Sequence, residues 1–259
     1  MIHTFVVLAY KKSAYLENCI KSVLNQTVDS KVIIATTTDN QYIRNMAEKY
    51  KLEVKVGIHT NIGGDFDFAI NCADTPLITV AHQDDEYKEN YTEEVIKQYN
   101  TNSKITIIFT DYYEIRNNKK VYSNKNLKIK RFLLLPLRFK SMGKYKFFKR
   151  LVLRFGCSIC CPAVTFVRKN CPKKIFTCEL KCDVDWYAWE KLSKLDGYFI
   201  FISKKLMGHR VHEESTTSSI LNDNIRENED YNMFKKFWPA WIAKGLNKLY
   251  KKAEKSNNI

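Results

Sequence analysis

Apolar residues along the first half of the chain switch repeatedly between two periods. Residues 3–9 form a short β-rich apolar run, HTFVVLA. Leu16, Cys19, Ile20, Val23 and Leu24 then recur at helical spacing and predict one buried stripe, with Ser13 as a candidate N-cap. Strands are predicted at 32–35, 53–58, 77–81 and 104–110. Helices are predicted at 41–51, at 66–72 after a Gly63-Gly64 turn, and at 91–99. This alternation predicts an α/β fold, a mostly parallel sheet flanked by helices. Ligands of such sheets collect at the carboxyl ends of the strands.

The rhythm breaks at residues 115–155, where Phe, Leu and Tyr mix with Lys and Arg and where Pro136 and Gly143 divide the run. Beyond it the pattern predicts a strand at 163–167, a helix at 184–195, a strand at 198–202 and a loop, GHRVHEESTTSS. A basic aromatic helix is predicted at 231–252. The expected organisation is a domain over 1–220 and a basic helical tail over 221–259. The domain divides into a nucleotide-binding half (1–112), a basic membrane-facing insertion (115–155) and an acceptor half (156–220).

Charge sharpens this picture. The 259 residues carry a net +15, yet residues 115–178 hold 18 of the 43 Lys and Arg and no Asp or Glu. The positive charge is therefore regional, and it predicts an anionic partner. Residues 128–154 hold ten basic residues among exposed-type aromatics. That mixture suits an anionic membrane surface, with Phe and Leu at the boundary and Lys and Arg over the head groups. The run from Met233 through Phe234 to Trp241 is expected to add to it. No RNP, helix-turn-helix or zinc-knuckle pattern occurs, so nucleic acid is not the expected partner. No apolar run reaches the ~18 to 20 residues of a membrane span. The N-terminus lacks the features of a signal peptide. A cytoplasmic protein, peripheral on the inner face of the cell membrane, is expected. Eight cysteines then read as free thiols. Cys157-x-x-Cys160 and Cys178-x-x-x-Cys182 leave zinc open as an alternative to plain burial.

The stretch with the most chemistry is LITVAHQDDEY. Adjacent carboxylates at a strand end form a hard-oxygen site suited to Mn²⁺ or Mg²⁺, with Asp85 and Asp84 as ligands. Trp186 and Trp189 share one helix face; core packing is the first reading, and stacking of one of them on an acceptor sugar is the alternative.

Four blocks in order resemble the inverting nucleotide-sugar glycosyltransferases of family 2, which have the GT-A fold. They are TFVVLAYKKSAYLENCIKSVLNQT, NIGGDFDFAINCADTPLITVAHQDDEY, KCDVDWYAWEKLSK and GHRVHEESTTS. The resemblance implies transfer of a hexose from a nucleoside diphosphate sugar, UDP-linked, to a saccharide acceptor on a lipid carrier, in surface polysaccharide assembly. It implies that Ala9, Tyr10, Thr36, Asn61, Gly63 and Asp65 flank the nucleotide. Asp84 lies beside the diphosphate, Asp85 and His212 join the metal site, and Asp185 is the catalytic base. Arg210 is expected to contact the diphosphate, and Asp183 is the rival base. Two departures stand out. The family's uracil-binding Asp after the second strand is replaced by Thr36-Thr37-Thr38, with Asp39 following. The first aspartate of the metal motif is His82 here. A fold retained without catalysis is the competing reading.

Overall fold

A computed structural model describes residues 1–211 and 223–255. It opens with β1 (His3–Ala9), α1 (Leu16–Leu24), β2 (Lys31–Thr36), α2 (Gln41–Tyr50), β3 (Glu53–Val56), α3 (Ile62–Asn71), β4 (Leu77–His82), β5 (Glu86–Tyr87) and α4 (Tyr91–Tyr99). Then follow β6 (Ile105–Arg116), β7 (Lys119–Val121), α5 (Lys125–Leu133), α6 (Lys146–Leu151), β8 (Val164–Val167), α7 (Val184–Ser193) and β9 (Tyr198–Val211). Two last helices, α8 (Asp223–Lys235) and α9 (Ala240–Lys255), end the chain's described part. None of the described helices is long and apolar enough to cross a membrane.

The α/β class is as expected, and one sheet runs β3-β2-β1-β4-β8-β6-β9-β5, with β7 on β6. Its N-terminal half is parallel: β1 pairs with β2 and β4, and β2 with β3. The short β8 then enters antiparallel between β4 and β6, so the sheet is mixed overall. Alternation on β1 sends Val6 into one apolar layer, and Phe5 and Val7 into the other. One layer is closed by α1, α2 and α4, whose Leu16, Ile20, Ile43 and Val95 are buried there. The other is closed by α3, α7 and the last two helices, through Ile70, Trp186, Trp189 and Phe234.

Several elements differ from expectation; the strand expected at 104–110, for one, runs on to Arg116 as β6. The helix expected at 66–72 starts at Ile62, because the Asn61 side chain accepts from Gly64 N (2.7 Å) and caps it earlier. Gly63 and Gly64 therefore lie inside α3. A Cβ on Gly63 would stand 2.2 Å from the Phe176 carbonyl oxygen, so the helix can pack this closely only with glycine there. The strand expected at 198–202 continues to Val211, because β6 pairs with it in parallel over its whole length. The C-terminal helix is two helices, since Pro239 has no N–H to continue α8. Met233 and Phe234 are buried in the core and do not join a membrane surface. Trp186 and Trp189 are fully buried, as core packing requires. Among the described residues no three cysteines converge as a metal site, and all eight are free thiols.

Two buried groups generate predictions. His3 is fully buried between Ser30 and Thr79 (2.9 Å each), and burial depresses its pKa to about 3. Its unfolded counterpart takes a proton below about 6.5, so the unfolded state binds more protons between those values. Stability is thus full above pH 6.5 and falls as the pH drops. From pH 7 to pH 5 His3 should account for a loss of about 2 kcal/mol. Urea titrations should show that His3→Asn shrinks this pH dependence. Gly63→Ala should lower stability by about 1–3 kcal/mol through overpacking, read in the same assay.

Candidate functional site

Parallel pairing brings three strand ends to one edge. Ala9 is in register with Thr36, and Leu8 with His82. Ala9 is buried and meets the edge through its backbone. Tyr10, the next residue, is exposed, and the Gln83 side chain clamps it: Tyr10 N donates to Gln83 Oε1 (3.0 Å) and Gln83 Nε2 to Tyr10 O (2.9 Å). Lys11 adopts a left-handed φ of 54° and donates to the Thr38 hydroxyl at 2.6 Å.

The nucleotide-side residues partly converge. Asp65 is buried at the start of α3, where one oxygen accepts from the Thr37 hydroxyl (3.1 Å) and faces His59 Nδ1 (2.8 Å). Its other oxygen is buried without a hydrogen-bond partner among the described residues. The His59 ring lies 6.1 Å from that of Tyr10. Asn61 and Gly63 shape this wall through the cap and close packing of α3. Thr36 differs from expectation: it is fully buried and its hydroxyl accepts from Thr38 N (3.1 Å), closing its own turn. Thr37 is the threonine that faces the cleft-side carboxylate. Asp39 is engaged by Arg44 at 2.7 and 2.8 Å.

At the acidic turn Asp85 is 0% exposed. Its Oδ1 accepts from the Arg210 backbone N (2.8 Å) and lies 3.1 Å from His209 Nδ1. Burial opposes charge on His209, but the Asp85 and Asp84 carboxylates outweigh it and raise the imidazole pKa. The Arg210 side chain is buried, stacks on Tyr15 (4.3 Å), and donates to Asp84 O (2.9 Å), Glu86 Oε1 (2.5 Å) and Asn118 Oδ1 (3.2 Å). Each guanidinium nitrogen donates once, so Arg210 braces the acidic turn. His212 lies outside the described residues.

His82, Asp84 and Asp85 each offer a ligand atom within 4.8 Å of the others. Burial lowers the His82 pKa, which leaves its imidazole neutral, and His82 Nε2 is buried without a hydrogen-bond partner among the described residues. Two carboxylates and a neutral imidazole are a donor set that fits Mn²⁺ or Mg²⁺.

On the opposite wall Asp185 occupies the first turn of α7, half-buried. Its Oδ1 accepts from Trp186 N (2.7 Å) and its Oδ2 from the Cys157 thiol (3.3 Å). His82, Cys160 and Cys161 each feel the charge of Asp185, and each also feels that of Asp85. The two carboxylates therefore lie within charge range of the same small group of residues. Asp183 is more enclosed than Asp185: it is buried, and burial, reinforced by Asp230 and Asp185, pushes its carboxyl pKa well up.

Sequence reasoning missed Gln83, His59, Cys157 and the contact of His209 with Asp85. Gln83 and His209 lie inside the recognised blocks, but their partners are about 70 and 120 residues away, beyond any local pattern.

The fold has solved counterparts. The S. aureus TarS 1–349 structure in complex with UDP-GlcNAc superposes with a TM-score of 0.67 at 14% identity, covering 95% of this chain and 70% of that one. A longer S. aureus TarS structure gives 0.62 at 12% identity, covering 95% and 42%. TarS 1–349 with UDP gives 0.57 at 14%, covering 92% and 70%. No curated protein sequence matches. The model of glycosyl transferase family 2 matches residues 4–176, and with that match over most of its length the chain belongs to this family.

Proposed function

We propose that the protein is a metal-dependent inverting glycosyltransferase. It moves a hexose from a uridine diphosphate sugar to a saccharide acceptor carried on a lipid, in surface polysaccharide synthesis. The observation that carries this reading is the donor set His82, Asp84 and Asp85 at the end of β4, whose ligand atoms lie within 4.8 Å of one another, with the half-buried Asp185 near enough for its charge to act on His82. Such an arrangement fits a donor diphosphate at the acidic turn and an acceptor hydroxyl at Asp185. The complexes of TarS with UDP-GlcNAc and with UDP support a nucleotide-sugar donor.

In this mechanism the acceptor hydroxyl attacks the anomeric carbon and gives its proton to the Asp185 carboxylate. The bond from that carbon to the diphosphate oxygen breaks, and the configuration inverts. Half-exposure of Asp185 lets an acceptor reach it, while Asp183 is buried. Asp84, Asp85 and His82 would hold Mn²⁺ or Mg²⁺, with His212 as a further candidate. The ion would neutralise charge developing on the departing diphosphate. Tyr10, fixed by Gln83, offers a ring against the nucleotide base. Asp65, with a buried unpartnered oxygen, offers an acceptor for a base or ribose donor. The Thr37–Asp65–His59 cluster thus stands in for the aspartate that family members carry after β2.

The same reading puts the enzyme at the inner face of an anionic membrane. Phe132, Phe139 and Phe147 are 70, 65 and 63% exposed, among Lys128, Arg138, Lys140, Lys144 and Lys146. Large apolar rings standing in solvent beside cations suit a lipid boundary. Each cation near such a surface adds about 1 kcal/mol.

A panel of UDP-sugars with Mn²⁺ and a lipid-linked acceptor tests the chemistry. Transfer should require the metal, and both Asp85→Ala and Asp185→Asn should lower kcat at least about 100-fold. Absence of transfer with every donor would favour a non-catalytic member of the fold. For the membrane, cosedimentation with phosphatidylglycerol vesicles should be strong at low salt and weaken as salt rises. It should be lost when Phe132, Phe139 and Phe147 are all changed to Ser. Equal binding to neutral vesicles would rule out the electrostatic part.

A further inference from the structure

The family match ends at Phe176, so the helix that carries Asp185 and everything after it lies beyond that match. The body of this helix packs on earlier residues, with Trp189 on Phe166 and Phe176 and Glu190 on Arg150, but its entry is held by the chain's C-terminal part. The start of α7 is not self-capped: Asp183 stands at the N-cap and its side chain makes no capping hydrogen bond. The three residues entering the helix are held instead by one side chain from α8. Glu229 Oε1 accepts from Lys181 N (2.9 Å), and Oε2 accepts from Cys182 N (2.8 Å) and Asp183 N (3.1 Å).

Glu229 is itself buried. A buried carboxylate is tolerated when several N–H groups converge on it, and charge-assisted bonds of this type are stronger than neutral ones. The carboxylate also lies at the amino end of α7, where negative charge is favoured. Its neighbour Asp230 reaches Asp183, so two successive residues of α8 meet the same entry loop. One turn further along α8, Phe234 packs edge-on against Trp186 at 5.1 Å, and Trp186 directly follows Asp185. The helix α8 thus touches the base-bearing segment both before and after Asp185.

We propose that Glu229 is a positioning residue for the transfer reaction: it fixes residues 181–183 and so sets where the Asp185 carboxylate stands toward the acceptor. This rests on the reading of Asp185 as the base. It assigns the C-terminal helix a part in catalysis, at a point where the family resemblance supplies no residue.

Glu229→Ala and Glu229→Gln test it. A misplacement of about 1 Å at a reacting group costs on the order of 100-fold. In Glu229→Ala kcat should therefore fall about 10- to 100-fold, while the dissociation constant for UDP stays within about twofold. Glu229→Gln, which keeps one acceptor oxygen, should recover part of that loss. In an Asp185→Asn background Glu229→Ala should cause little further loss, because the group it positions is gone. Amide exchange of residues 181–187 should quicken in Glu229→Gln, with exchange in β1 and β4 unchanged. A wild-type kcat in Glu229→Ala would overturn the proposal. So would an undiminished loss in the Asp185→Asn background, or UDP affinity falling in step with kcat. If Glu229→Ala does not fold, the Gln variant and its exchange pattern decide. If wild type transfers no sugar, the reading of Asp185 fails, while the exchange result still reports whether Glu229 holds the loop.

Discussion

The structure around the cleft depends on a fully buried carboxylate. Asp85 has no access to water, and a carboxylate in that position is costly unless hydrogen bonds and charge satisfy it. His209 Nδ1 meets it at 3.1 Å, and Arg210 secures both the carboxylate and the turn around it. Its backbone N–H binds Asp85, and its guanidinium ties Asp84 and Glu86. Both contacts require β9 to run on past Ile202 and to pair with β5 through Glu86 and Gly208. The long parallel pairing of β6 and β9 is therefore what makes a tightly acidic turn possible at the end of β4.

The opposite wall is built on a similar principle, with buried carboxylates satisfied by backbone N–H groups. Asp67 accepts from Ile175 N, Phe176 N and Thr177 N at 2.7–3.0 Å, and from the Thr177 hydroxyl at 2.5 Å. Glu229 takes the next N–H groups at 181–183. The irregular chain between β8 and α7 has little regular structure to occupy its backbone donors, so side chains from α3 and α8 do it. Two carboxylates from distant helices thereby fix the segment that leads to Asp185. The cysteines contribute volume, and one of them, Cys157, a thiol donor to Asp185.

Charge is distributed to match. Acidic groups gather at the cleft, and the positive excess sits on the segment around α5 and α6, where large aromatics are exposed.

Much of this was legible from residue order alone. The alternation of periods gave β1 to β4 and their helices, because an apolar stripe follows local geometry. The acidic turn and the four blocks pointed to Asp85, Asp185 and the family for the same reason: they are contiguous motifs. What only the folded chain decided is which groups remain free. Arg210 binds Glu86, Asp84 and Asn118 at the acidic turn; Thr36 is sealed in its own turn; His209 meets Asp85. Asp183 and Asp185 are the same residue type two positions apart, yet one is buried beside Asp230 and the other half-buried. Motifs record covalent neighbours, whereas burial and partner choice depend on segments about 50 to 125 residues away, so those assignments belong to the tertiary structure.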